Sequence, residues 1–133
     1  MTEKYKYQEL TGKVIGAAME VHRHLGNGFQ EVVYQRALAI ELELQGVYFE
    51  REKEMSLTYK VHDIGTRRVD FFIEEKIMLE IKAVIQPEDV HLAQAINYLE
   101  AYNMEIGLLI NFGSPSLQFK RVMKPGKKNM NYD

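Results

Sequence analysis

Residues 67–83 read RRVDFFIEEKIMLEIKA, and the period of this stretch decides the fold. Two short apolar runs flank a turn at Glu74-Glu75-Lys76. In the second run Ile77, Leu79, Ile81 and Ala83 alternate, so they share the core face of a strand. Met78, Glu80 and Lys82 take the other face. By the same rule Arg68, Asp70 and Phe72 share a face of the first strand. A turn over these three residues pairs Ile73 with Ile77, setting Asp70 opposite Glu80 and Arg68 opposite Lys82. Cross-strand neighbours stand roughly 4.5–5.5 Å apart at Cβ. Two carboxylates that close repel, and a hard divalent cation such as Mg2+ is one reason to pack them together. Lys82 adds a compact positive charge suited to a phosphate oxygen or an attacking water. A solvated strand face of mixed charge is the other reading of the same residues.

The whole chain sets the bounds. At 133 residues it is expected to form a single domain over 1–133, burying roughly two-thirds of its unfolded surface. An apolar fraction of 46% with 27% charged residues is ordinary for a water-soluble globular fold. Cysteine is absent, which excludes a disulfide framework and a thiolate site and fits the cytoplasm. Nothing approaches the ~18 consecutive apolar residues of a membrane span, so no membrane partner is expected. Net charge is −2, but it is unevenly spread. Residues 106–132 carry +5 through Lys120, Arg121, Lys124, Lys127 and Lys128, leaving −7 elsewhere. That basic tail, residues 120–133, serves either as a phosphate-backbone contact or as a solubilising terminus.

Along the chain, residues 11–25 read as a helix with Val14, Ala18, Val21 and Leu25 on its apolar stripe and Thr11 as N-cap. A second helix spans residues 30–45, with Val33, Ala37, Ile40 and Leu44 as its stripe and Gly46 as its C′ residue. Glu31 sits in its first turn, where the helix dipole favours a carboxylate. Residues 47–59 read as a strand pair or one bent strand, and His62-Asp63-Ile64-Gly65 as a turn into the central hairpin. Gln86-Pro87-Glu88-Asp89 starts a third helix, with Pro87 at the first helical position. It runs to about Asn103, with Leu92, Ala95, Ile96 and Leu99 inward. Residues 106–112, IGLLINF, form a buried strand reached by a parallel crossover. A loop at Gly113-Ser114-Pro115 leads to a last strand over residues 117–123.

The third helix presents His91, Gln94 and Tyr98 beside its apolar stripe. A Gln and a Tyr four apart share one helical face. They suit a water or a phosphate; equally, Tyr98 suits a core aromatic with its hydroxyl bonded and Gln94 plain surface. Glu20, His22 and His24 have no evident common partner and stay outside the site. There is no Walker-type loop, no Ser-His-Asp arrangement and no HExxH helix.

The order of these residues is more specific than any one of them. Gly28, Glu31 and Tyr34 fit GxxExxY; Asp70 follows, then Glu80-Ile81-Lys82 as ExK, then Gln94 and Tyr98 as QxxxY. This resembles the GxxExxY family, a branch of the PD-(D/E)xK nuclease superfamily with RecB-like ExK and QxxxY motifs. The likeness covers roughly residues 10–123, including the apolar strand at 106–112. Val69 stands where the superfamily name has Pro, a position at which many members vary.

The resemblance implies a restriction-endonuclease-like core, an α/β fold with a mixed α+β sheet in α-β-β-β-α-β order plus an extra N-terminal helix. It implies Mg2+ or Mn2+ held by Asp70, Glu80 and the Ile81 carbonyl, with Glu31 binding directly or through water. Lys82 would position or help deprotonate the attacking water, and Gln94 and Tyr98 would support the lysine and the DNA. The function expected is metal-dependent hydrolysis of phosphodiester bonds in a nucleic acid, with DNA as the expected partner. A nuclease-fold module that binds nucleic acid or a protein without turnover is the alternative. A homodimer would engage both strands of a duplex, though nothing in the sequence requires one.

Overall fold

The computed structural model describes residues 7–125, so Lys127 and Lys128 of the basic tail lie outside the described residues. Two helices come first, α1 (Gln8–Leu25) and α2 (Glu31–Leu44). The strands β1 (Phe49–Tyr59), β2 (His62–Ile73) and β3 (Ile77–Lys82) follow. Then come α3 (Asp89–Ala101), β4 (Ile106–Asn111) and β5 (Gln118–Met123). The five strands form one sheet in sequence order. All neighbours are antiparallel except β3 and β4, which run parallel as expected for strands joined by a helical crossover.

The centre of the sheet, β3 and β4, is buried on both faces. Ile77, Leu79, Ile81, Ile106, Leu108 and Ile110 pack against α1 and α2, joined by Val14, Ala18 and Val21 as their spacing requires. Met78, Leu109 and Val122 pack against Ala95 and Leu99 of α3. The face carrying Glu80 is therefore covered by a helix, and the solvated-face reading of that strand fails.

Several local expectations are corrected. Helix α1 begins three residues before Thr11, which is buried and donates its hydroxyl to the Gln8 carbonyl at 3.0 Å. On α2 the buried stripe is Tyr34, Leu38 and Leu42, while Ile40 and Leu44 are 60% and 76% exposed. Both stripes have helical spacing; Tyr34 decides between them by stacking on Phe112 at 4.6 Å. Of the two readings of residues 47–59, the single strand holds, over Phe49–Tyr59. The reversal into β2 is at Lys60-Val61, both at positive φ, and His62–Gly65 is already strand. Pro87 lies ahead of the N-cap Glu88, not at the first helical position.

Gly46 does close α2 at φ 71, with its N–H bonded to the Glu43 carbonyl at 3.0 Å. A Cβ on Gly113 would collide with the Val84 backbone, so only glycine lets the chain leave β4 so close to the end of β3. Among the described residues no helix is long and apolar enough to cross a membrane.

Candidate active site

The β2–β3 hairpin has the register expected from its turn: Ile73 pairs with Ile77, Phe72 with Met78 and Phe71 with Leu79. Backbone pairing stops there, and side chains take over. Asp70 Oδ2 accepts the Ile81 N–H at 2.7 Å, and Glu80 Oε2 accepts the Asp70 N–H at 3.1 Å. Each carboxylate thus satisfies a backbone donor of the opposite strand where the ladder parts, and the two acids are fixed against each other.

The expected face of β2 is broken at this point. Val69 and Phe72 share the α3-side cluster, so Arg68, Asp70 and Phe72 do not alternate as a regular strand would. The ladder to β1 has no pair between Lys53↔Val69 and Arg51↔Phe71, and Glu52 there sits at φ 49. Arg68 does not face Lys82; its guanidinium lies 3.9 Å from Glu54 of β1.

Glu80 is 6% exposed. Burial and the neighbouring Asp70 charge push its carboxyl up to about 7, against the pull of the Asp70 N–H and of Arg67. Arg67 forms an ion pair with Glu80 Oε1, and its guanidinium lies 4.4 Å from the Tyr98 ring centroid. Its Nε is buried without a hydrogen-bond partner. Arg67 was not singled out by sequence: it lies outside the motifs, and it shares the α3 side with Val69 only because β2 loses its alternation between Val69 and Phe72.

Glu31 occupies the first position of α2. Its carboxyl is raised above the usual range, chiefly by partial desolvation although the residue stays exposed. Asp70 adds to the rise, and Lys82 and then His91 oppose it. Asp70, Lys82 and His91 are therefore each within electrostatic reach of Glu31. Tyr34 holds Glu31 there. One turn further along the same helix, its hydroxyl donates to the Gly26 carbonyl at 2.5 Å and accepts the Phe29 N–H at 3.1 Å. The Tyr of GxxExxY thus anchors the helix start that carries the Glu.

On α3, Tyr98 joins Glu80 in lining a small void of about 10 Å3. Gln94 is exposed, and no hydrogen bond ties it to the acids among the described residues. His91 instead acts locally: its Nδ1 accepts the Glu88 N–H at 3.2 Å at the start of α3. Of the residues set aside earlier, His22 bonds the Ser114 carbonyl at 3.0 Å, while Glu20, expected to lack a partner, pairs with Arg23 and His24 on the surface of α1.

The sequence profile of the PD-(D/E)XK nuclease superfamily matches residues 8–122. The chain belongs to that superfamily. Among solved structures, the crystal structure of SSO0001 is similar over 74% of this chain, at 23% identity and a TM-score of 0.55. This chain spans about half of that one, 52%, and the likeness shows the fold: a mixed sheet with helices, as in restriction-endonuclease-like proteins. No curated protein matches significantly.

Superfamily members generally use divalent metal ions. Among the described residues no three His, Asp or Glu side chains cluster closely enough to hold a metal by themselves. The donor set nonetheless fits a hard cation. Half-buried Asp70 and buried Glu80 form a pair of like charges whose repulsion already shows in Glu80, and Mg2+ binds through one or two carboxylates while keeping its waters.

Proposed function

We propose that this protein is a Mg2+- or Mn2+-dependent nuclease of the GxxExxY branch that hydrolyses phosphodiester bonds in DNA. The observation that carries the reading is the parted hairpin, where Asp70 and Glu80 are locked to opposite strands in a superfamily of nucleases. Asp70, Glu80 and the Ile81 carbonyl would hold the ion, with Glu31 alongside. When bound, the ion would supply positive charge against the reacting phosphate.

The chain's own residues divide the remaining work. Lys82, half-exposed beside the acids, donates to a phosphate oxygen or orients the attacking water. Glu31, its carboxyl raised and within reach of the Lys82 charge, accepts a proton more readily than an ordinary glutamate. Tyr98 steadies Arg67 through its ring, and Gln94, exposed one turn earlier, contacts the DNA backbone. The cytoplasm is the setting this reading implies, and a homodimer belongs to it where both strands of a duplex are cut.

A second reading is a nuclease-fold module that binds nucleic acid or a protein without turnover. It is favoured by Arg67, which already neutralises Glu80 as an internal cation. Cleavage of labelled single-stranded DNA, duplex DNA and RNA with Mg2+ or Mn2+, beside Lys82→Ala, decides between them. Metal-dependent cutting lost in the variant supports the nuclease. No cutting by the wild type and no calorimetric binding of either metal would leave the module.

A further inference from the structure

Beside Lys82 the α3 face of the sheet opens into a cleft of about 230 Å3, walled by the first turn of α3 and by β5. Strand register decides what stands in it. Glu80, Leu109 and Lys120 are partners across β3, β4 and β5, and Lys82, Asn111 and Gln118 form the next row. Residues in one row project from the same face. Lys120 therefore stands on the face of Glu80 and Lys82, two strands away, roughly 10 Å at the usual strand spacing. It is exposed, and neither an ion pair nor a hydrogen bond engages it among the described residues.

The polar floor of the cleft is already satisfied. Asn111 Nδ2 donates to Gln118 Oε1 at 3.1 Å and to the Val84 carbonyl at 2.9 Å. Leu92 and Leu109 supply an apolar patch between the two lysines and α3, whose rim carries Glu88 and Asp89. Negative charge is thus accepted beside Lys82 and Lys120, and apolar surface separates it from the α3 rim, where His91 stands beside Glu88 and Asp89. A nucleotide has that polarity: a phosphate at one end and a flat, weakly polar ring at the other. At about 230 Å3 the cleft is of the size of one nucleotide rather than of a base pair.

We propose that this cleft seats the nucleotide next to the cleaved bond as an unpaired nucleotide of a DNA strand. Its phosphate rests on Lys120, and its sugar and base lie over Leu92 and Leu109. The proposal rests on the nuclease reading above and deepens it: the strand must arrive single or frayed.

The test is binding of a labelled single-stranded oligonucleotide and of a hairpin duplex of the same sequence, in EDTA, across a series of salt concentrations. Wild type, Lys120→Ala, Lys120→Arg and Glu80→Gln are compared. One lost phosphate contact flattens the single-strand salt slope by about 0.7 and weakens binding about fivefold at 0.1 M salt. That change in Lys120→Ala, its rescue by Lys120→Arg, and a wild-type preference for the single strand are the expected results. An unchanged slope in Lys120→Ala, or equal binding of duplex and single strand, overturns the cleft while leaving the nuclease reading intact. Wild type that binds neither strand form overturns the cleft, and overturns the nuclease reading as well if it also fails to cut either form in Mg2+. If Glu80→Gln still cuts in Mg2+ while Lys120→Ala loses binding, the reaction centre lies elsewhere and the placement of the cleft beside the cleaved bond is overturned with it.

Discussion

Glu80→Gln should make the metal-free protein's stability less dependent on pH. In the folded chain the Glu80 carboxyl titrates at about 7 against an ordinary 4.5, so folding tightens its hold on a proton. A carboxyl raised in this way contributes its full stability below pH 4.5; that contribution shrinks as pH rises and is gone above about 7. The shift corresponds to about 3 kcal/mol, at roughly 1.4 kcal/mol per pH unit within the window. Glutamine keeps an oxygen to accept the Asp70 N–H but carries no charge, so it removes this slope. It also removes the ion pair with Arg67, which offsets the variant's curve without tilting it above pH 7. The assay is urea unfolding followed by far-UV circular dichroism at half-unit steps from pH 4.5 to 8, in EDTA. The wild type should lose about 3 kcal/mol more than Glu80→Gln across that range, and Mg2+ should return most of it at pH 8. Parallel curves would refute the argument, because a carboxylate strained by burial and by Asp70 cannot titrate without changing stability.

Three further outcomes follow from the same geometry. Arg67→Met should cost about 2 kcal/mol at pH 8, less than the ~3–5 kcal/mol of a fully buried pair because Arg67 is partly exposed, and clearly less at pH 5, where Glu80 is protonated; equal losses at both pH values in urea melts would contradict the pairing. Tyr34→Phe should destabilise by about 1 kcal/mol through the lost hydroxyl bonds while the stack on Phe112 survives, as thermal unfolding can read. Lys82→Ala should lower single-turnover cleavage on the order of 10²–10³-fold with its melting temperature unchanged, whereas wild-type rates would remove Lys82 from the chemistry.

The parts legible in the sequence were those set by short-range period. The turn at residues 74–76 fixed the register that brings Asp70 to Glu80, and the apolar run at 106–112 gave the parallel strand beside β3. What escaped depended on partners distant in sequence. The stripe of α2 could not be chosen among two equal ones without Phe112, far along the chain, to stack on Tyr34. The burial of Glu80 needed α3 to be laid over β3, which no strand pattern states. Arg67 reached Glu80 because β2 loses its alternation at Asp70, where the pleat gives way to side-chain bonds across the parted strands. The reversal at Lys60-Val61 lacks glycine, proline and asparagine, the residues by which such turns announce themselves.

The sheet does not end evenly. β3 pairs with β2 only as far as Phe71, and the last tie from α3 is the Tyr102 hydroxyl donating to the Met55 carbonyl at 3.1 Å. Beyond Met55 and its partner Arg67, the hairpin of β1 and β2 continues as a ribbon of two strands, nearly every residue exposed from Ser56 to Thr66. Four residues of strand carry it roughly 13 Å past the body. Its amides are protected by a single ladder, so hydrogen exchange should be fastest at Lys60-Val61 and slow progressively toward Phe71, a gradient of local stability within one continuous strand.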